Sequence, residues 1–276
     1  MFTISDAEMD RWFAEDVPYG DLTTHALGIG TQPASMEFRA RQDMVVACSE
    51  EAARLIERAG GRVIGRIASG ARLQAQGLIL TAAGPAQALL AAWKVAQTLV
   101  EAASGIASSA TTIVEAAQAE KPGIVVACTR KAFPGTRTIA AKAVLAGGAS
   151  MHRLGLSETL LVFPQHRRFL AEPLEVTVAR LKAACPEKKV VVEVCSVDEA
   201  MAAMAAGADV VQLEKFTPEQ VARVSSLPGR TTKLAAAGGV NGGNAAAYAR
   251  AGADVLVTSA PYWAPPRDVQ VTISPR

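Results

Sequence analysis

The chain has 276 residues, half of them hydrophobic and 5% aromatic, with 28 basic against 26 acidic side chains. That length supports a sizeable core in one or two domains, and a formal charge of +2 gives no electrostatic case for nucleic acid as the main partner. There is no run of about 18 apolar residues, which argues against a helical membrane span; the N-terminal MFTISDAEMD is acidic and lacks an apolar signal core, so a cytoplasmic protein is expected.

In chain order, SDAEMDRWFAED reads as an amphipathic helix with Ser5 as its N-cap. SMEFRARQDMVVA alternates as a strand does, and SEEAARLIERAG reads as a second capped helix. GRVIGRIASGARLQAQGLILTAAG suggests short strands punctuated by glycine. A long helical stretch follows from about Pro85 to Ala119, with Ser104–Gly105 as a candidate break. Cys48, Cys128, Cys185 and Cys195 are scattered without metal-ligand spacing and read as buried free thiols in a reducing compartment.

After Lys121-Pro122-Gly123 the pattern becomes regular. Apolar strands are expected at IVVACT, ETLLVF, KVVVEV, DVVQLE, TKLAAA and DVLVTS. Between them lie Ala-rich helices, among them one capped by Ser196 and stopped at Gly207, and one capped by Thr217 with Pro218 at its first position. Strands apolar on both faces that alternate with helices indicate a parallel sheet. Repetition of one βα unit favours a complete or incomplete (β/α) barrel, with an open doubly wound sheet as the alternative.

A parallel barrel carries its chemistry at the C-terminal ends of its strands. IVVACT runs into Arg130-Lys131, KVVVEV carries Glu193, DVVQLE ends at Glu214-Lys215, TKLAAA at Gly238-Gly239 and DVLVTS at Ser259. Arg130, Lys131, Arg137, His152 and Arg153 can form a cationic bowl for carboxylate or phosphate. AAGGVNGGN, between a strand and a helix, can form an anion nest. Glu193 and Glu214 can hold a divalent cation or bind sugar hydroxyls. Each feature alone has a plainer reading: a solvated Arg-Lys loop, a structural histidine, a helix-entry glycine pair, a surface ion pair at Glu214-Lys215. Their recurrence at successive strand ends favours one shared site for a phosphorylated sugar, with a second anionic substrate.

EDVPYGDLTT (15–24), TRKAFPGTR (129–137), GGASMHRLGL (147–156), VVVEV (190–194), GADVVQLEKFTPE (207–219) and AAGGVNGGNAAAYARAGADVLVTSA (236–260) together resemble the quinolinate phosphoribosyltransferase family, also called nicotinate-nucleotide pyrophosphorylase. The resemblance implies an N-terminal α/β sandwich domain over residues 1–104, with the tail 266–276 packed on it, and an incomplete α/β barrel over 105–265. It also implies a homodimer with shared active sites, Mg²⁺ as cofactor, and phosphoribosyl pyrophosphate and an aromatic acid as substrates. Mapped onto this chain, Arg130 and Lys131 would grip carboxylate and phosphate. His152 and Arg153 would bind the acid, and Glu193 and Glu214 would stand at the ribose and metal. Thr129, Ala237, Gly238, Gly239, Thr258, Ser259 and Ala260 would surround the phosphate.

Several positions depart from that pattern. The family's ERTALN reads WKVAQT, so the arginine lent by the partner becomes Lys94, which keeps the charge and loses the bidentate fork. KDNH reads FPQH, so a basic residue of the anion pocket becomes Phe163; LDN reads LEK, and SGG reads AGG through Ala237. These departures resemble a branch of the family associated with bacterial molybdate-transport genes, although nothing in the residues themselves points to molybdate. Two functions stay open: a phosphoribosyltransferase with a re-specified acid pocket, and a non-catalytic anion or nucleotide binder that kept the fold. A scaffold role leaves the charged strand ends unexplained.

Overall fold

Capping chemistry sets the first elements of the computed structural model, which describes residues 2–276. Ser5 precedes α1 (Asp6–Asp16) and its hydroxyl accepts the Glu8 N–H at 3.2 Å. Asp21 caps α2 (Leu22–Leu27) through the N–H groups of Thr23 and Thr24. Next come β1 (Pro33–Ala40), β2 (Met44–Val45), α3 (Ser49–Arg58), β3 (Arg62–Arg66), β4 (Arg72–Leu73), β5 (Leu78–Pro85) and the 35-residue α4 (Ala86–Glu120). The chain then runs through β6 (Val125–Cys128), α5 (Arg137–Ala146), β7 (Ser150–Met151), β8 (Leu160–Val162), α6 (Pro164–Arg167), α7 (Leu174–Ala184) and β9 (Val190–Val194). It closes with α8 (Val197–Ala205), β10 (Val210–Glu214), α9 (Pro218–Ser225), β11 (Lys233–Ala237), α10 (Ala245–Arg250), β12 (Val255–Thr258), a 3-10 turn at Ala260–Trp263, and β13 (Val269–Pro275).

These elements form two units. The first comprises the chain up to Thr111, Phe133–Gly148 and Pro261–Arg276; the second comprises Thr112–Ala132 and Ala149–Ala260. The division read from the sequence, between 104 and 105, falls inside α4, and α5 groups with the first unit rather than with the barrel strands around it.

In the first unit an antiparallel sheet has the order β13-β1-β5-β3. The alternation of β1 buries Ala34, Met36, Phe38 and Ala40 on one face. The C-terminal β13 pairs with β1 from Ala34↔Pro275 to Ala40↔Val269. Ser49 is not a cap: it lies inside α3, its hydroxyl donates to the Ile67 carbonyl at 2.6 Å, and Cys48 occupies the cap position with φ 60°. α4 does not break at Ser104–Gly105. Both residues serve packing instead. The Ser104 and Ser108 hydroxyls accept the Ala47 and Val45 N–H groups at 3.0 Å, and a Cβ on Gly105 would meet the Pro265 carbonyl oxygen at 2.5 Å. Of the four thiols, Cys48 and Cys128 are buried, Cys185 is half-buried and Cys195 is exposed, so the buried reading holds for two.

The second unit is a seven-stranded parallel sheet, β7-β6-β12-β11-β10-β9-β8, in which no pairing joins β7 to β8 among the described residues. It is an incomplete barrel with a single run of neighbours, and the doubly wound alternative is set aside. All six apolar runs are strands; the two-residue β7 is an addition too short to leave a periodic signal. Thr217 and Gln220 form a capping box on α9, with Pro218 at its first turn. Asp209 and Asp254 sit just before β10 and β12. Their carboxylates accept N–H groups at the start of the neighbouring strands: Val190, the first residue of β9, at 2.7 Å, and Leu234, the second of β11, at 2.9 Å. Among the described residues no helix is long and apolar enough to cross a membrane.

Candidate active site

Strand register assembles the cationic wall. The Thr129 N–H donates to the Thr258 carbonyl at 2.8 Å, which fixes the exit of β6, and the His152 N–H donates to the Cys128 carbonyl at 2.8 Å, which fixes the exit of β7. Arg130, Lys131, His152 and Arg153 therefore emerge from adjacent strand ends and line one cavity of about 620 Å³. Arg153 is only 6% exposed, yet it makes no ion pair among the described residues; its nearest aromatic partner is Phe163, whose ring centroid lies 5.6 Å from the guanidinium carbon. Burial, then the charges of Arg153 and Arg130, hold the His152 imidazole below its usual range. An anion entering this wall relieves a desolvation and repulsion cost already present.

The glycine loop faces the same cavity. Gly238 and Gly239 have φ of 85° and 100°, the left-handed region that favours glycine. A Cβ on Gly238 would lie 2.7 Å from the Lys215 backbone nitrogen and 2.8 Å from a Glu214 oxygen. Asn241 and Asn244 staple the loop: each side-chain amide donates to the Gly239 carbonyl at 3.0 Å, and the Asn241 N–H donates to Asn244 Oδ1 at 2.8 Å. Thr258, 3% exposed, donates to the Val240 carbonyl at 2.6 Å and accepts the Ala260 N–H at 3.0 Å. Its hydroxyl is thus committed to holding the nest together. Ala237, Ser259, Ala260 and Thr129 complete this side.

Glu193 and Glu214 rise from β9 and β10 into the cavity. Burial, and then the neighbouring Glu214 charge, raise the Glu193 carboxyl above its usual range, against the opposing pull of Gln212, Lys131 and Arg167. Among the described residues no group of three or more His, Cys, Asp or Glu could hold a metal ion. A pair of carboxylates lining one cavity, Glu193 and Glu214, fits the donor set of Mg²⁺, which binds through one or two carboxylates and completes its shell with water and substrate phosphates.

Phe163 also lines this cavity, beside Arg153, with its ring centroid 5.7 Å from that of His166. It also lines a second, mostly apolar cavity of about 460 Å³ with Leu156, Leu161, Leu170 and Leu181. Two residues named from the sequence do not line the first cavity. Lys94 is exposed on α4 in the first unit, donates to Gln97 at 3.1 Å and lies 4.2 Å from the Trp93 ring centroid. Arg137 opens α5, also in the first unit. Sequence reasoning missed Gln212, Gln165 and Asn241, which do line it. Gln212 had a signal, a lone polar residue inside the apolar run VVQLE, and Asn241 stood within the glycine loop.

Comparison with known proteins bears on this arrangement. The domain described as "Quinolinate phosphoribosyl transferase, N-terminal domain" matches residues 21–104, and its C-terminal counterpart matches residues 106–272. The chain is 51% identical over 255 residues to the "Putative pyrophosphorylase ModD" of Rhodobacter capsulatus, covering 91% of this chain and 98% of that protein. It is 33% identical to the "Nicotinate-nucleotide pyrophosphorylase [carboxylating]" of Mycobacterium leprae, covering 93% and 95%. The nicotinate-nucleotide pyrophosphorylase structure from Francisella tularensis shares the fold, with a TM-score of 0.91, 24% identity, and coverage of 99% and 98%. With both domains matched in order and relatives similar over nearly its full length, the chain belongs to the quinolinate phosphoribosyltransferase family.

Proposed function

We propose that the protein transfers the phosphoribosyl group of phosphoribosyl pyrophosphate to an aromatic acid and releases pyrophosphate. The observation that carries this reading is the gathering, at one end of a parallel sheet, of unpaired cations, a glycine nest and two carboxylates in a single cavity, in a chain of this family. The ring nitrogen of the acid forms a bond to the ribose carbon as that carbon's bond to pyrophosphate breaks, and the bonding pair leaves with pyrophosphate. Arg130 and Lys131 balance the charge of the leaving group, and the loop at Gly238-Gly239 holds the sugar phosphate. His152 and Arg153 orient the acid, and Glu193 and Glu214 face the ribose. Catalysis of this kind rests on positioning and charge stabilisation. Mg²⁺ held by Glu193 and Glu214 would supply further charge neutralisation at the pyrophosphate.

The acid differs from quinolinate or is used less well. Quinolinate carries two carboxylates, and Phe163 replaces a cation of the family pattern with an apolar wall. Loss of one charge-assisted contact costs about 1.5–3 kcal/mol. The family resemblance also supports a homodimer in which Lys94 of the partner subunit completes the site. Pyrophosphate release with Mg²⁺, phosphoribosyl pyrophosphate and a panel of aromatic acids tests the reading. Turnover with a less charged acid, exceeding that with quinolinate, is the expected result.

The same two replacements favour a second reading, a binder without turnover. Tight binding of phosphoribosyl pyrophosphate by calorimetry, with no pyrophosphate released for any acid, would establish it in place of the first.

A further inference from the structure

Strand β10 ends at Glu214 and is interrupted by one polar residue before it. Val211 and Leu213 are fully buried, and Gln212 between them is 5% exposed. Its register partner on β9 is Glu193, and its amide nitrogen donates to Glu193 Oε2 at 2.7 Å. The amide oxygen is buried and has no hydrogen-bond partner. A carboxylate can only accept, so the nitrogen must face Glu193 and the oxygen must turn away from it. Gln212 lines the cavity of the candidate site. An orphaned buried acceptor is costly, and an apolar side chain of the same length would suit this strand without that cost.

We propose that Gln212 is a specificity-determining residue whose amide oxygen accepts a hydrogen bond from an O–H or N–H group of a ligand lying against Glu193. The identity of the ligands rests on the phosphoribosyl-transfer reading. Two sources carry the required donor: a hydroxyl of the sugar, or a donor substituent on the aromatic acid. Either would place its hydrogen between two neighbouring acceptors, the Glu193 carboxylate and the Gln212 oxygen, whose relative position is fixed by the bond between them. A site built to accept from a buried donor discriminates strongly against analogues that lack it.

The test uses the full chain and its Gln212→Met and Gln212→Leu variants, with Mg²⁺ present, by titration calorimetry. One arm compares ribose 5-phosphate with deoxyribose 5-phosphate. The other compares nicotinate with its ring-amino derivatives. In one arm the unaltered protein should prefer the donor-bearing ligand by about tenfold. Both variants should lose most of that preference, keeping only the share owed to the Glu193 carboxylate, while the donor-lacking ligand is affected less. A purely structural role would weaken both members of a pair equally. The arm that responds identifies the source. Absence of a preference in the unaltered protein, or a preference kept in full by both variants, overturns the proposal. Because binding is read without turnover, failure of the catalytic reading shows separately, as absent pyrophosphate release.

Discussion

The two ends of the parallel sheet treat charge in opposite ways. At the N-terminal ends, Asp209 pairs with Lys182 at 3.1 Å, and Asp254 pairs with Arg230 at 2.8 Å and Lys121 at 3.1 Å. Each of these carboxylates also binds a strand N–H. At the C-terminal ends, Arg130, Lys131, Arg153 and Glu214 make no ion pair among the described residues, although they share one cavity with Glu193. The same fold thus neutralises its charges at one end and leaves them open at the other, where the proposed substrates would supply the partners. Barrels of this kind keep chemistry at the C-terminal face and structural residues at the other.

The comparison sharpens if each end fails in its own way. The largest effect should come from Asp254→Asn. It removes a largely buried carboxylate from two cations, so unfolding should become easier by about 3 kcal/mol, read by chemical denaturation. Burial works to raise Asp254, but the Leu234 N–H, Arg230 and Lys121 outweigh it and the carboxyl lies below its usual range. A depressed carboxyl stabilises fully above its unfolded value and loses that contribution as pH falls through the folded one. The gap between the native protein and the variant should therefore be full at neutral pH and close on acidification below about pH 4. Loss of ligand affinity in this variant, at a pH where it remains folded, would break the comparison.

Arg130→Ala should do the reverse. Affinity for phosphoribosyl pyrophosphate should fall by about thirtyfold, or about 2 kcal/mol, with the denaturation midpoint unchanged or raised. Gly238→Ala should cost about 1–2 kcal/mol of stability, because alanine is strained at φ 85° and its methyl presses on the Lys215 backbone. It should weaken phosphate binding as well, the one case in which both ends of the ledger move. Lys215→Asn is the smallest change. Lys215 holds φ 57°, where asparagine is more comfortable, so a gain of about 0.5 kcal/mol is expected in thermal melts.

Much of the barrel unit was legible because its signals are local. Apolar runs mark six strands, and Ser196, Thr217 and Pro218 mark helix starts through their own side chains. Misreadings arose where distant residues decide. Ser104 and Gly105 look like a helix break, but their chemistry answers to Ala47 and Pro265. Ser49 looks like a cap, but its hydroxyl is taken by Ile67. The ionic residues of the cavity were readable because charge at the end of an apolar strand is locally anomalous. Gln212 escaped because one amide inside such a strand looks like noise until its neighbour across the sheet is known to be Glu193. Thr258 lines the cavity as the resemblance implies, and the contacts of its hydroxyl with Val240 and Ala260 could not be read from the sequence.

The two aspartate clips have a consequence for how the sheet assembles. β11 reads Lys-Leu-Ala-Ala-Ala and β9 reads Val-Val-Val-Glu-Val, with small or branched apolar side chains on both faces. A slip of one residue would leave burial almost unchanged, so hydrophobicity distinguishes poorly between correct and shifted alignments. Asp209 and Asp254, outside every strand, do distinguish them, since a shifted neighbour would withdraw the N–H each carboxylate needs. Mispairing is penalised at the start of two strands, and the cavity at the far end inherits its alignment from two side chains that do not line it.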